Sequence, residues 1–229
     1  MRGDQRMILF LRFINNIYYY IQKMNQHQII NISFSLNKIF VIESLTTTHQ
    51  SCAQDLFNYT ISEKFRDCSP EYISIDSKLD LLNTLKKISK NIKGKNLYPL
   101  IHFEMHGLSS GMGLSLRNGD TIKWEELKPI LNKINLDSHN NLILFLAACK
   151  SADIVKELVN GYLNPEGCSA PFFGFVAPSS NIDWENLYLS SKDFYINFAL
   201  NRDFVSTIRY NGDTGPSVTD HIGPLSRVQ

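Results

Sequence analysis

The sequence predicts an α/β protein with a mostly parallel sheet and helices on both faces. Apolar, partly β-branched segments of strand length alternate along the chain with segments whose apolar residues recur at helical spacing. The order β-α, repeated five times, implies parallel strands joined by helical crossovers. At 229 residues and 43% hydrophobic composition, the chain is long enough to bury one large domain of this kind.

The first strand and helix lie between residues 38 and 57. Lys38–Ser44 is short, apolar and partly β-branched, which predicts a buried strand. Residues 46–50 are polar and predict a loop. Ser51 is a suitable N-cap for a helix that continues through residues 53–57. Since no glycine occurs between residues 44 and 50, the phosphate-binding loop of a nucleotide-binding or flavodoxin-like domain is not predicted.

The second strand and helix follow between residues 72 and 94. Residues 72–75 predict a short strand. Asp76 and Ser77 are suitable caps for the helix that follows, and Gly94 ends it. The predicted buried stripe of this helix consists of Leu79, Leu82, Leu85 and Ile88.

The third strand covers residues 97–105 and leads directly to His106. A segment rich in Gly and Ser comes next, and a small hairpin is predicted around Asn118 and Gly119, because Asn-Gly favours a tight β-turn. Trp124 opens a helix whose predicted apolar face consists of Leu127, Ile130, Leu131 and Ile134.

The last part of the predicted domain contains two strands and two helices. Residues 141–148 predict a buried strand that ends at Cys149. Three further elements are predicted: a helix at residues 154–159, a strand at residues 171–178 and an amphipathic helix at residues 193–202.

Residues 38–209 are predicted to form one domain between two segments of a different character. Residues 1–37 predict an N-terminal extension. Within it, Met7–Leu11 imitates a signal peptide but no cleavage site follows, and a membrane span would need about 20 apolar residues. Membrane contact is therefore not expected. Residues 210–229 are rich in Gly, Pro and Ser and predict an irregular C-terminal tail.

Charge and cysteine content argue against several classes of function. The formal net charge is +1 and no Lys/Arg-rich run occurs, so no nucleic-acid partner is expected. His102 and His106 have no convergent third ligand, so neither a metal nor a cofactor is predicted. Four cysteines match neither a zinc site nor a disulfide framework, which favours a reducing cytoplasm: Cys52, Cys68, Cys149 and Cys168.

Two of the predicted strands end in a residue that can do covalent chemistry. The carboxyl ends of parallel strands share one edge of a sheet, and open α/β folds place their chemistry at that edge. His106 and Cys149 would form a nucleophile–base pair there. The alternative is two core strands with an incidental histidine and a buried cysteine.

These two strand ends carry a family resemblance. An apolar strand ending in His106-Gly107, and a later one ending in Ala148-Cys149, resemble the caspase-type cysteine peptidases. That clan includes caspases, metacaspases, separase and bacterial CHAT domains. Residues 113–127 and 170–174 are similar to bacterial CHAT-like sequences, and the resemblance extends over residues 38–200. It implies a caspase-haemoglobinase-like fold and a cysteine endopeptidase activity.

The resemblance also implies a role for each residue of the site. Cys149 would be the nucleophile and His106 the general acid and base. The backbone amides of Gly107 and Cys149 would form the oxyanion hole.

A substrate pocket is implied less directly. In this clan loops after the cysteine strand build part of the pocket, which makes Ser179, Asp183 and Trp184 candidates. Asp153 is a further candidate, although it and Ser151 are also suitable caps for the predicted helix at residues 154–159, and we favour the cap.

The specificity residues of the clan do not transfer to this chain. Metacaspases have an acidic residue directly before the nucleophile, and caspases have a glutamine before their Ala-Cys. Ala147 and Ala148 stand in this region here. The resemblance therefore implies neither a basic nor an aspartate preference.

Three other residues are weaker candidates for the site. Strand alternation puts His102, Glu104 and His106 on one face. We expect His102 to be a hydrogen-bonded core histidine. Glu104 either orients a ring or is a structural carboxylate at a strand end. Cys168 lies in a loop rich in Gly and Pro and is expected to be incidental.

By the resemblance, the expected function is cleavage of a specific protein partner in bacterial defence or programmed cell death. Activation of a gasdermin-like pore-former is one such role. The alternative is a catalytically silent caspase-like scaffold that binds partners or oligomerises. Retention of both His106 and Cys149 argues against a scaffold, which needs neither residue. The oligomeric state is not predicted.

Overall fold

The computed structural model describes residues 7–11, 35–154 and 171–201. In these ranges the chain forms eight strands and four helices of ten residues or more. The strands are β1 Met7–Leu11, β2 Lys38–Ser44, β3 Glu71–Ser74, β4 Pro99–Gly107, β5 Gly113–Ser115, β6 Thr121–Lys123, β7 Ile143–Ala147 and β8 Gly174–Pro178. The helices are α1 Thr47–Leu56, α2 Lys78–Ile92, α3 Trp124–Asp137 and α4 Trp184–Asn201.

Six of these strands lie side by side in the order β1-β8-β7-β4-β2-β3. The pairs from β8 to β3 are all parallel, and only β1 joins its neighbour antiparallel. The hairpin of β5 and β6 continues from the carboxyl end of β4. The predicted α/β class with a mostly parallel sheet is therefore confirmed, as an open mixed sheet.

Helices cover both faces of the sheet because the strands are apolar on both sides. On one face, α2 and α3 bury a stripe of leucine and isoleucine against β2, β4 and β7. On the other face, α1 and α4 cover the alternate residues of the same strands, among them Val41, Leu100 and Phe145. Burial of apolar surface on both faces is the main stabilising contribution to such a sheet.

The start of α2 is as the sequence predicts, but its buried face differs. Ser77 is the N-cap: its hydroxyl accepts from the Asp80 N–H at 3.1 Å, and the Asp80 carboxylate accepts from the Ser77 N–H in a capping box. The expectation for Leu79 is wrong, because its side chain is 64% exposed. The helical stripe instead starts at Leu81 and continues through Leu85, Ile88 and Ile92.

Three other boundaries differ from the sequence prediction. Helix α1 begins at Thr47 rather than after Ser51, since the polar residues 47–50 contain neither glycine nor proline to interrupt a helix. Helix α4 begins at Trp184, nine residues before the predicted start. Met7–Leu11, predicted as part of the extension, pairs with β8 as a sheet strand. The predicted helix at residues 154–159, Cys168 and the tail at residues 210–229 lie outside the described residues, the first of them beyond Ile154.

Within the described ranges, no helix has the length and apolar character needed to cross a bilayer.

The strand order places a topological switch point at the centre of the sheet. From β2 the chain moves outward to β3, and it then crosses back over β2 to form β4 on the other side. Ligand sites of open α/β sheets lie outside the carboxyl ends of the strands near such a point. Here the register brings Glu43 of β2, Glu104 of β4 and Ala147 of β7 to the same level at that edge.

Candidate active site

The register of β4 and β7 brings His106 and Cys149 to one edge and one face of the sheet. The last paired residues of these strands are Glu104 and Ala147. His106 comes two residues after Glu104 on β4 and so lies on the same face of that strand. Cys149 packs against the apolar cluster on this face, which includes Phe145. Cys149 itself lies in the turn just beyond β7, and both residues are half-buried.

The contact between Gly107 and Cys149 shows how closely the two strand ends approach. A Cβ atom added to Gly107 would stand 1.9 Å from the carbonyl oxygen of Cys149 and 3.0 Å from its nitrogen. Only glycine allows the two backbones to lie this close. The backbone that follows the histidine is thus in direct contact with the cysteine.

The hydrogen-bond pattern at the end of β4 also orients the Gly107 amide. Leu108 N–H donates to the Gly113 carbonyl at 3.0 Å, which makes Gly107 and Leu114 the non-hydrogen-bonded pair of this antiparallel ladder. The hairpin lies on the β2 side of β4. The Gly107 N–H therefore points away from β5.

The segment after β8 closes over the cysteine. The Cys149 Sγ lies 3.4 Å from the carbonyl oxygen of Ile182, within hydrogen-bond range of a thiol. Lys150 adopts a left-handed conformation with φ of 54°, so the chain turns sharply after the cysteine. Its N–H donates to the Ser180 carbonyl at 3.1 Å, and its ammonium group donates to the Ser109 carbonyl at 2.9 Å.

Trp184, the first residue of α4, lies against the histidine. Its ring meets the imidazole of His106 edge to face, with 5.2 Å between ring centroids and an interplanar angle of 87°. This geometry is favourable for two aromatic rings. The structure therefore brings Trp184 to the histidine and the Ile182 backbone to the cysteine.

The other pocket candidates occupy different positions around this site. Asp183 is exposed and caps α4: its carboxylate accepts from the Asn186 N–H at 2.9 Å. Ser179 is half-buried and directly follows β8. Asp153 packs against the loop after β4, where its Oδ2 would stand 2.2 Å from a Cβ at Gly111.

A buried polar network lies directly below the site on the same face of β4. The Nε2 of His102 is 2.5 Å from the Glu104 carboxylate, and its Nδ1 is 2.9 Å from the Tyr195 hydroxyl of α4. His102 and Tyr195 have no exposed surface, and Glu104 is 3% exposed. The histidine ring also stacks on Phe145 at 4.6 Å. Burial and, after it, the charge of Glu104 raise the pKa of Tyr195 well above its ordinary value.

A second buried carboxylate lies beside this network. Glu43 is fully buried and accepts from the Ser74 hydroxyl at 2.9 Å, the Tyr72 hydroxyl at 3.2 Å and Arg117 at 3.2 Å. Burial raises the pKa of Tyr72 well above its usual range, and the charge of Glu43, its hydrogen bond and the charge of Glu104 raise it further. Arg117 belongs to the turn of the β5–β6 hairpin, so this ion pair ties the hairpin to the sheet edge.

Three contributors to the site are not predicted individually from the sequence. The Ile182 and Ser180 carbonyls are backbone groups, and any residue type could supply them. Lys150 follows the cysteine directly, and this adjacency is the one signal that could have pointed to it. Within the described ranges, no group of three or more His, Cys, Asp or Glu side chains is placed to hold a metal ion.

The fold and the site together define an open-sheet α/β protein with a histidine and a cysteine at the carboxyl edge of adjacent parallel strands. Comparison with known proteins adds no family to this description. No protein-family model matches the chain, and no curated protein matches it.

Proposed function

We propose that this protein is a cysteine endopeptidase of the caspase type, with Cys149 as nucleophile and His106 as general acid and base. One observation carries the proposal: β4 and β7 deliver these two residues to the same edge and face, with the Gly107 backbone in contact with Cys149. The resemblance of residues 38–200 to caspase-type peptidases supports it.

The proposed chemistry is acyl transfer. His106 takes the thiol proton, and the Cys149 thiolate attacks the carbonyl carbon of the scissile peptide bond. The resulting oxyanion would receive hydrogen bonds from the N–H groups of Gly107 and Cys149. His106 then gives the proton to the leaving amine. Water, deprotonated by His106, hydrolyses the thioester and frees the thiol.

A partner protein is the proposed substrate. We propose that the segment at residues 179–184, which lies over both reactive residues, forms part of the pocket for the substrate residue before the scissile bond. By the family resemblance, a role in bacterial defence or programmed cell death, such as the activation of a gasdermin-like pore-former, is the proposed setting.

One observation favours a second candidate, a caspase-like scaffold without activity. The Cys149 thiol lies within hydrogen-bond range of the Ile182 carbonyl, and Trp184 occupies one edge of the His106 ring. In this position the segment at residues 179–184 lies over part of both reactive groups. A scaffold would keep it in place.

Labelling with iodoacetamide and cleavage of a peptide library would test the proposal. We expect the wild-type chain to be labelled at Cys149 at neutral pH and to cleave a subset of peptides. Both Cys149→Ala and His106→Ala should lose cleavage, and His106→Ala should also lose the rapid labelling, because a free thiol near pKa 8.5 is mostly protonated at that pH.

Cys52→Ala is the matched control, since Cys52 is also a half-buried free cysteine. It should keep both labelling of Cys149 and cleavage. Cleavage that persists in Cys149→Ala would contradict the proposal. A wild-type chain that cleaves nothing and labels no faster than His106→Ala would favour the scaffold.

A further inference from the structure

The side chains of Glu104, His102 and Tyr195 form one buried hydrogen-bonded network. The Glu104 carboxyl group lies 2.5 Å from His102 Nε2, and the Tyr195 hydroxyl lies 2.9 Å from Nδ1. A histidine ring with its proton on Nε2 donates to a Glu104 carboxylate and accepts the hydroxyl proton of Tyr195 at Nδ1. In this arrangement the charge of the network lies on Glu104.

This carboxylate lies next to the proposed acid–base residue. Glu104 and His106 are two residues apart on β4, which puts their Cα atoms about 7 Å apart on the same face. Ala147 is the register partner of Glu104 on β7, and its methyl group leaves the space beneath Cys149 apolar. Because Glu104 is 3% exposed, water screens its charge little.

We propose that Glu104, oriented by His102 and Tyr195, is a positioning residue that stabilises the protonated imidazole of His106 after it has taken the proton of Cys149. This inference rests on the proposed function, since it assigns the protonated imidazole to the peptidase mechanism. Glu104 acts through the charge of its carboxylate and takes no part in covalent chemistry.

The other charged and titratable groups near Glu104 do not replace it. From β2, Glu43 faces the same side at the same level, but Arg117 of the hairpin opposes its charge at 3.2 Å. From β3, Tyr72 is bonded to Glu43 and has a raised pKa, so it stays neutral.

The remaining groups come from α4, β4 and the turn after β7, where the Lys150 ammonium group donates to the Ser109 carbonyl at 2.9 Å. Tyr195 of α4 is neutral for the same reason as Tyr72. His102 of β4 has one ring nitrogen on Glu104 and the other on Tyr195. From the turn after β7, Cys149 carries a negative charge only when it has given its proton to His106.

The test is a titration of the six histidines by NMR in the full chain labelled with ¹⁵N-histidine. The signals of His106 are assigned from the variant His106→Gln. We expect Glu104→Gln, which keeps the shape and an acceptor for His102, to lower the titration midpoint of His106 by about one pH unit. Glu104→Asp keeps the charge and should leave the midpoint nearer to that of the wild type.

Glu43→Gln is the matched control. It removes a buried carboxylate at the same level of the sheet, but from a strand that does not carry His106. A clearly smaller shift is expected. An unchanged midpoint in Glu104→Gln, or an equal shift in Glu43→Gln, would overturn the inference.

A second measurement covers the case in which Glu104→Gln fails to fold. The carboxyl carbon of Glu104 is followed by ¹³C NMR in the wild-type chain. An ionised Glu104 at the pH at which His106 is protonated supports the inference, and a protonated one overturns it.

Neither measurement depends on peptidase activity. The proposed peptidase function and the proposed role of Glu104 can therefore each be contradicted without contradicting the other. Peptide cleavage with an unmoved His106 midpoint would retain the peptidase and reject the role of Glu104. A shifted midpoint in a chain that cleaves no peptide would retain the electrostatic coupling and reject the peptidase.

Discussion

The α-carbon of Gly107 faces the carbonyl of Cys149 at a distance that leaves no room for a side chain: a Cβ would stand 1.9 Å from the oxygen. We expect Gly107→Ala to push the two strand ends apart. Overpacking of this kind costs about 1 to 3 kcal/mol, so the free energy of unfolding should fall by that amount. Chemical denaturation measures the loss, and the rate of Cys149 alkylation reports the disturbance of the site.

Gly94→Ala is the control for this substitution. Gly94 has a φ of 75° and nothing within 4 Å of an added Cβ, so alanine there meets backbone strain but no steric clash. It should destabilise the protein without changing the alkylation of Cys149. An alkylation rate that is the same in both variants would contradict the role given to the Gly107 contact.

The fold class could be predicted from the sequence because each buried strand carries its own signal. Lys38–Ser44 and Ile143–Ala147 are apolar runs of strand length, and the structure places both inside the sheet. An element that forms only because another element pairs with it has no signal of its own in the sequence. Met7–Leu11 becomes a strand because β8 offers it an edge to pair with. The start of α4 is not predicted because the amphipathic pattern marks only residues 193–202, whereas the helix begins at Trp184 with Asp183 as its cap.

The same distinction holds for the candidate site: some of its residues could be predicted from the sequence, and some of its contacts could not. His106 and Cys149 could be selected because each follows an apolar strand and because their residue types can do chemistry together. The contact of Cys149 with Ile182 could not be predicted, since it joins a side chain to a backbone carbonyl 33 residues away. Tyr195 was missed for a similar reason: its partner His102 lies 93 residues away.

The edge-to-face contact of Trp184 with His106 gives the tryptophan two candidate roles, which are orienting the imidazole and binding the substrate. Kinetics of Trp184 variants can separate them. We expect Trp184→Ala to lower kcat about fivefold, because an aromatic pair contributes about 1 kcal/mol to holding the imidazole. Trp184→Phe keeps an aromatic ring and should lose less. Steady-state cleavage of a peptide selected from the library measures both parameters.

Leu189→Ala is the control for a general effect on α4, since Leu189 lies on the same helix and is 47% exposed. It should leave kcat and KM unchanged. A Trp184→Ala variant that raises KM and keeps kcat would show that the ring binds substrate and does not orient His106.

The capping box of α2 predicts a pH-dependent contribution to stability. The hydrogen bonds from the Ser77 side chain and backbone lower the pKa of Asp80 below its usual 3.8. A lowered pKa in the folded state gives stability that is present above the unfolded value and is lost as the pH falls through the folded one. We expect Ser77→Ala to remove this contribution and also the N-cap, whose loss by itself costs about 1 kcal/mol.

The difference in stability between Ser77→Ala and the wild type should therefore shrink as the pH falls below 3.8. Denaturation at several pH values measures it, and NMR titration should show the pKa of Asp80 rising towards its usual value. Asp137 is an internal control. Burial alone would raise its pKa, but hydrogen bonds from Lys133 and Ser89 lower it, and Ser77→Ala should not change it.

The ion pair of Glu43 and Arg117 predicts strong non-additivity, because one partner is fully buried and the other is 24% exposed. Arg117→Ala leaves the Glu43 charge inside the protein without its cation, and we expect it to cost about 3 kcal/mol of unfolding free energy. Glu43→Gln should cost less, since the Ser74 and Tyr72 hydroxyls remain able to donate to an amide oxygen. Chemical denaturation of both variants measures these losses.

The double variant Arg117→Ala with Glu43→Gln should be more stable than Arg117→Ala alone, because no unpaired charge remains buried. The exposed pair of Lys123 and Glu125, whose side chains are 61% and 65% exposed, is the matched control. Water screens that pair, so Lys123→Ala should change the stability by about 0 to 1 kcal/mol and couple only weakly to Glu125→Gln. Equal coupling energies in the two cycles would mean that burial of Glu43 does not strengthen its interaction with Arg117.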